Sequence, residues 1–507
     1  MKKYIYGSLL LGGFFLTSCK KQFDSVQPLS LINSTGQLSS LAGILQATSG
    51  NYLNLLNGGT PVQAYIQGYT YEFAWNIISE TRGNNVLAVG AQNSVRLTDA
   101  YSYTNSGITG FSPLFWRSSY QLIVSVNTVL EGIAAFVTSD QYKSMSQTGQ
   151  QEVLHAEGEN YFLRALAYFN LVRVYGMPYY QNPSTDLGVP LKLTSLSTDL
   201  PARSSVAETY QQVVHDLQLA SSLMTGTGTE PNTFANVGAA QALMSRVYLY
   251  MGGTFGSPDN QFNQLAITYA DSVISSGTYS LTQGQAYVDM FGFDSAGTLG
   301  RATNVNSIPE FIFADDHSSG TGGINPYYTI RGSLSPVVAY FLASPSFYDS
   351  LSASDLRQNF LHKDRYGYIE TTKYEVLPSN NYSYAPTVYL RLAEVYLNRA
   401  EAEAKMGSED AAALADLNVI HTRAGLPALT GLTGSGLFNA ILNERRLELA
   451  FEGDCGYDYF RNGLAMTRPT SDTGGSPFTV EATDNKVVMQ IPFADITAQP
   501  NLVQNPQ

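Results

Sequence analysis

Apolar residues recur at intervals of three and four along most of the chain, the spacing that places side chains on one face of a helix. In "SPLFWRSSYQLIVSVNTVLEGI", Leu122, Val126, Val129 and Ile133 share a face, and in "NVGAAQALMSRVYLYMGG" Ala240, Leu243, Met244, Val247, Tyr248 and Met251 do the same. The pattern predicts helices over about 37–56, 61–80, 112–136, 150–175 and 205–224. Two more follow, in the second stretch just quoted and in "QFNQLAITYADSVISSG", and three close the series at about 385–406, 410–425 and 436–453. Gly176, Met177 and Pro178 stop the fourth helix, because glycine frees the backbone and proline cannot continue the ladder. The helical period fails over 82–110, which is rich in Gly, Asn and Tyr and reads as a long loop. It fails again over 277–383, where glycines, prolines and aromatics surround short β-like runs such as "PEFIFA", and over the tail 454–507, which reads as irregular.

Helix pairs therefore recur: an aromatic and alanine-rich helix, a glycine-containing turn, then a second helix carrying small residues. This arrangement resembles degenerate tetratricopeptide repeats, in which small residues let neighbours approach and no pair buries its apolar face alone, and about four such pairs are expected. The charged stretch "LRLAEVYLNRAEAEAKMG" poses the choice between scaffold and active site. Leu390, Ala393, Leu397, Ala400 and Ala404 share one face, while Arg391, Glu394, Asn398 and Glu401 lie largely elsewhere, so the stretch reads as scaffold. Glu444, Arg445, Arg446, Glu448 and Glu452 of "NERRLELAFEG" are expected to pair along their own helix.

The N-terminus changes the picture of where this body works. Two lysines precede a short apolar run from Ile5 to Leu16, which is an export signal and too short for a membrane span. Leu16, Thr17 and Ser18 before Cys19 resemble a bacterial lipobox, so residues 1–18 are expected to be removed and Cys19 lipidated, with 19–36 as anchor and linker. The one other cysteine is Cys455, which leaves no intramolecular disulfide in the mature protein. Hydrophobic residues at 44% and charged residues at 14% indicate a globular body. A net charge of −13 without a basic cluster argues against nucleic acid as a partner.

Seven motifs in order resemble those of the SusD/RagB family of nutrient-binding lipoproteins of Bacteroidetes. They are the lipobox at Cys19, "FWRSSYQLIVSVNTVLEGI", "AEGENYFLRALAYFNLVRVYGMPYY", "VYLRLAEVYLNRAEAEAKMG", "LNVIHTRAGLP", "NERRLELAFEG" and "IPFADITAQPNLVQNP". The chain departs from the family pattern after "AFEG", where "DCGYDYFRNG" replaces a more basic segment. The resemblance implies one helix-dominated domain over 37–507, with an N-terminal part at about 37–225 and a C-terminal part at about 300–507, a frame of tetratricopeptide-like pairs and long loops that build a ligand surface. It implies no catalysis and no cofactor, and leaves a bound cation open. It also implies a lipid anchor in the outer membrane facing the exterior, and a SusC-like TonB-dependent β-barrel as the partner that receives bound oligosaccharide.

Sugars present apolar C–H faces and hydroxyl edges, so a binder needs aromatic rings flanked by amides, carboxylates or arginines. With 34 Tyr and 24 Phe, the chain has the rings. Two regions combine them with polar groups: Arg96, Asp99, Tyr101 and Tyr103 close in sequence to Trp75, and Asn325, Tyr327, Tyr328 and Arg331. Each ring has packing as its alternative use. Asp315, Asp316 and His317 read as a solvated turn rather than a metal site, because three consecutive side chains do not converge without a special turn. Zinc-protease, phosphate-loop, serine-elbow and calcium-loop signatures are missing from the sequence. Two readings compete with glycan binding: peptide binding on the same scaffold, and a surface glycoside hydrolase whose paired carboxylates would leave no fixed spacing.

Overall fold

The computed structural model describes residues 34–57, 71–88, 95–224, 231–291, 305–315, 324, 328, 341–363, 367–374 and 386–507. The frame is a series of helices, each packed on the next: α1 (Leu41–Asn57), α4 (Ser112–Phe136), α5 (Gln147–Tyr175), α6 (Val206–Leu223), α7 (Val237–Met251), α8 (Asn260–Ser275), α9 (Leu392–Met406) and α10 (Asp410–Arg423). Helix α11 (Gly434–Glu448) closes on α9 and α10. Helices α2 (Tyr71–Thr81) and α3 (Val95–Ser102) precede α4, and α2 packs against it with all its residues buried. The helix-dominated, repeat-like frame is the one the periodicity predicts.

Local signals set the helix ends. Ser205 accepts a bond from the Glu208 N–H at 3.1 Å while the Glu208 carboxylate accepts from the Ser205 N–H at 2.8 Å, a reciprocal cap that starts α6. Asn236 accepts from the Ala239 N–H at 2.9 Å to start α7, and α5 stops at Tyr175 before Gly176. Close helix crossings use small or flat side chains. A Cβ on Gly158 of α5 would lie 2.6 Å from Met224 Cγ and 3.1 Å from the Ala220 carbonyl at the end of α6. Between α7 and α8, the rings of Tyr248 and Tyr269 stack with centroids 5.5 Å apart.

Three segments differ from the expected pattern. Residues Val388–Arg391, expected inside a helix, form a strand β4 antiparallel to β2 (Phe311–Ala314), and α9 begins only at Leu392. A short run of β-branched and aromatic residues fits either period, and only the distant "FIFA" partner decides. The 82–110 loop contains β1 (Val86–Ala88), paired with β3 (Phe341–Ala343), and helix α3. The tail forms α12 (Cys455–Phe460) and a hairpin of β5 (Met466–Arg468) with β6 (Phe478–Val480), and it buries Val487, Met489, Ile491 and Leu502.

The charges of α9 and α11 also differ from expectation. Helix α9 lies between α8, α10 and α11 and has little solvent-facing surface, so Glu394, Glu401 and Lys405 are buried. They pair across elements: Arg246 with Glu394 at 2.5 Å, Arg461 with Glu401 at 2.6 Å, and Lys405 with Glu401 at 3.1 Å. Glu448 of α11 receives Arg391 at 2.6 Å and Arg423 at 2.5 Å, and Glu444 receives Arg357 at 2.6 Å, instead of pairing along the helix. Burial pushes the Glu448 carboxyl up, but the guanidinium groups of Arg423, Arg391 and Arg357 outweigh it and hold the group well below the usual carboxylate range.

Candidate functional site

The first sequence-predicted region folds around the turn that follows α2. Arg82 donates through Nη1 to Asn105 Oδ1 at 2.9 Å and through Nη2 to the carbonyls of Lys486 and Val487, each at 2.6 Å. Its guanidinium lies 4.4 Å from the centroid of the Tyr103 ring. Tyr103 itself has φ +55°, a left-handed conformation unusual for a tyrosine, and Asn105 follows at φ +51°. The turn is held in place by its side chains: the Tyr103 hydroxyl donates to the Arg82 carbonyl, and the Asn105 amide donates to the carbonyls of Lys486 and Val488 at 2.8 and 2.9 Å.

This geometry corrects the expected role of several residues. Tyr103 is 3% exposed and packs edge-on against Phe460, so it offers no free ring face. Burial pushes its hydroxyl up to about 12, with Arg82 and Arg468 acting in the opposite direction. Asp99 is buried too and accepts from the Thr104 hydroxyl and the Ser106 N–H, its carboxyl raised by burial against the pull of those bonds. Trp75 is inside the core, stacked on Tyr389 at 5.3 Å. Tyr328 is fully buried, donates to Asn76 Oδ1 at 2.9 Å and stacks on Tyr374 at 5.3 Å. Asp315, expected in a solvated turn, is buried and accepts from the Thr387 N–H at 2.7 Å, extending the β2–β4 pairing.

Tyr101 differs from these. It is half-buried, with the Arg468 guanidinium 3.8 Å from its ring centroid and Arg468 Nη1 donating to its carbonyl at 2.6 Å. Arg96 lies in α3 with its side chain outside the described residues, and Asn325, Tyr327, Arg331, Asp316, His317 and Cys19 fall outside them altogether.

Open concavities lie elsewhere on the molecule. A cleft of about 740 Å³ runs between the first half of α4 and the segments 190–201 and 492–499. Trp116, Tyr120, Pro190, Pro201 and Phe493 give it an apolar lining, and Arg117, Lys192, Asp199 and Asp495 add charge. A second cleft of about 540 Å³ opens at the start of α7, where 276–279 and 306–309 meet 232–241. Its polar groups come from three separate segments, which is why no spacing in the sequence marks it. Among the described residues, no group of His, Cys, Asp and Glu could hold a metal ion, and no helix is long and apolar enough to cross a membrane.

Comparison with known proteins places these features in a family. Residues 357–507 match the sequence model of the SusD family, and residues 55–249 match the model described as starch-binding associating with outer membrane. SusD-like protein P2 of Formosa agariphila is 23% identical over 446 residues, covering 81% of this chain and 83% of its own. A SusD superfamily protein of Bacteroides thetaiotaomicron has the same fold at 26% identity and TM-score 0.74, covering 92% of this chain and all of its own (100%). Surface glycan-binding protein A of Bacteroides uniformis shares the fold at 20% identity and TM-score 0.72, covering 92% of this chain and 99% of its own. Two matched segments that together span more than half of the sequence, joined by one continuous helical frame, lead to one conclusion: the chain belongs to the SusD/RagB family.

Proposed function

We propose that this protein binds oligosaccharides at the cell surface without altering them and delivers them to a SusC-like TonB-dependent β-barrel in the outer membrane. In this reading, removal of 1–18 leaves lipidated Cys19 as the membrane anchor and the following residues as a tether, with the 37–507 body facing outward. The observation that carries the reading is the match of residues 55–249 to a family described as starch-binding and outer-membrane-associated. The buried carboxylates around Arg391 belong to the frame and not to a hydrolytic pair. A glycosidase needs one carboxyl held protonated near a second that is free to react, yet Glu310, Glu448 and Glu452 all bond to Arg391. Glu80, which burial pushes up to about 7 against bonds from the Gly453 and Phe451 backbones, is fully enclosed and lines neither cleft described above.

Tyr101 is the described member of the predicted ring set that keeps partial exposure, and we assign it, with Arg96, Asn325, Tyr327 and Arg331, to the primary ligand surface. Calorimetric titration against oligosaccharides and peptides, with the ligand recovered afterwards, tests the reading. Intact sugar, with affinity reduced about two- to tenfold in Tyr101→Ala, is the expected result; loss of one ring stacking contact is worth about 0.5–1.5 kcal/mol. Binding to peptides alone would move the protein to peptide import, and cleaved sugar would make it an enzyme. Copurification of a β-barrel after cross-linking in whole cells tests the partner, and protection from external protease would refute outward display.

A further inference from the structure

The cleft at the start of α7 has a lining unlike the rest of this acidic molecule. Asn232, Asn236, Gln241 and Asn306 bring carboxamides, Thr278 and Tyr279 bring hydroxyls, and no lining residue among those described is charged. Its volume of about 540 Å³ falls within the roughly 300–1,000 Å³ of small-ligand sites. A phosphate, a carboxylate or a peptide terminus would meet no opposite charge here. A neutral sugar would find an aromatic ring for its C–H face and amides, which both donate and accept, for its hydroxyls.

Asn232, Asn236 and Tyr279 are fixed before any ligand arrives. The Tyr279 hydroxyl donates to Asn236 Oδ1 at 2.9 Å, and the same oxygen accepts the Ala239 N–H at 2.9 Å. With that oxygen occupied, the NH₂ of Asn236 remains as a donor. Asn232 Nδ2 donates to the Ile308 carbonyl at 3.2 Å, which leaves its oxygen as an acceptor. The Gln241 side chain makes no hydrogen bond among the described residues, so its amide keeps both functions. Gly238 is required for the position of the ring: a Cβ there would lie 2.5 Å from Tyr279 Oη and 2.6 Å from Cε2. Pre-set groups of this kind lower the ordering cost of binding.

We propose that this cleft is a second carbohydrate site, separate from the Tyr101 surface and selective for uncharged oligosaccharides. The proposal rests on the carbohydrate reading above. The full chain would be titrated with maltohexaose, cellohexaose, xylohexaose, laminarihexaose and oligogalacturonate, and each complex followed by hydrogen exchange. A neutral hexasaccharide is expected to bind and to slow exchange of the amides of 237–241 and 276–279. Gln241→Ala, a change at a partly exposed position, and Gly238→Ala should each weaken that binding about tenfold or more, with Gln241→Ala leaving the unfolding midpoint unchanged. Sugar binding with no protection at these amides and full affinity in Gln241→Ala would overturn the second site and leave the carbohydrate reading standing. A preference for oligogalacturonate at the cleft would overturn its selectivity. Peptide binding with no response to any sugar would overturn both readings.

Discussion

Arg391 gives the most direct test of whether the charged stretch is frame or site. Its side chain uses all five N–H groups: Nε to Glu452 at 2.6 Å, Nη1 to Glu310 at 3.0 Å and Glu448 at 2.6 Å, Nη2 to the Glu448 carbonyl at 2.7 Å and to Glu452 at 3.0 Å. Arg391→Lys keeps the charge but offers three donors from one nitrogen, so at least two of these acceptors lose their partner. A charge-assisted bond contributes about 1.5–3 kcal/mol, so losing two gives an expected loss of about 3–6 kcal/mol. Urea unfolding followed by tyrosine and tryptophan fluorescence measures it, with sugar affinity measured in parallel on the folded protein. The frame reading expects lower stability and unchanged affinity. A loss below about 1 kcal/mol, or weakened sugar binding at full stability, would refute it.

Glu80 supplies a pH dependence. Its folded value of about 7 lies above the 4.5 expected when unfolded, so between these values the folded state holds the extra proton and stability falls as pH rises. At 1.36 kcal/mol per unit, the penalty above pH 7 is roughly 3–4 kcal/mol, and Glu80→Gln should flatten the decline of the urea midpoint between pH 4.5 and 7 while changing little below it. Gly158→Val should destabilise by about 1–3 kcal/mol, because the added methyls meet Met224 and the Ala220 carbonyl at the α5–α6 crossing; thermal unfolding would show it.

The frame was legible because periodicity reports burial on one side. The stripe Leu122, Val126, Val129 and Ile133 is buried as the spacing requires, and α5 ends where Gly176 and Pro178 indicate. What spacing could not reveal is a helix buried on nearly all sides: Glu401 and Lys405 look like a solvated pair in sequence, and only the neighbours Arg445 and Arg461, brought in from elsewhere, show that they are interior. The same limit governed the ligand surface. Tyr103 and Tyr328 sit in loop-like sequence, but their rings fill space between distant segments. The carboxamides of the second cleft had no mark at all, and the structure shows Asn236 also capping α7.

The attachment of Arg82 to Lys486, Val487 and Met489 joins positions more than 400 residues apart (404, 405 and 407). Closing so long a loop costs entropy before any contact offsets it, and non-local closure of this kind is slow. The RGNN turn therefore cannot reach its final form before residues 486–489 are available to it. Its maturation waits for this distant segment, and a chain cut before Lys486 would leave the turn without the acceptors that hold it.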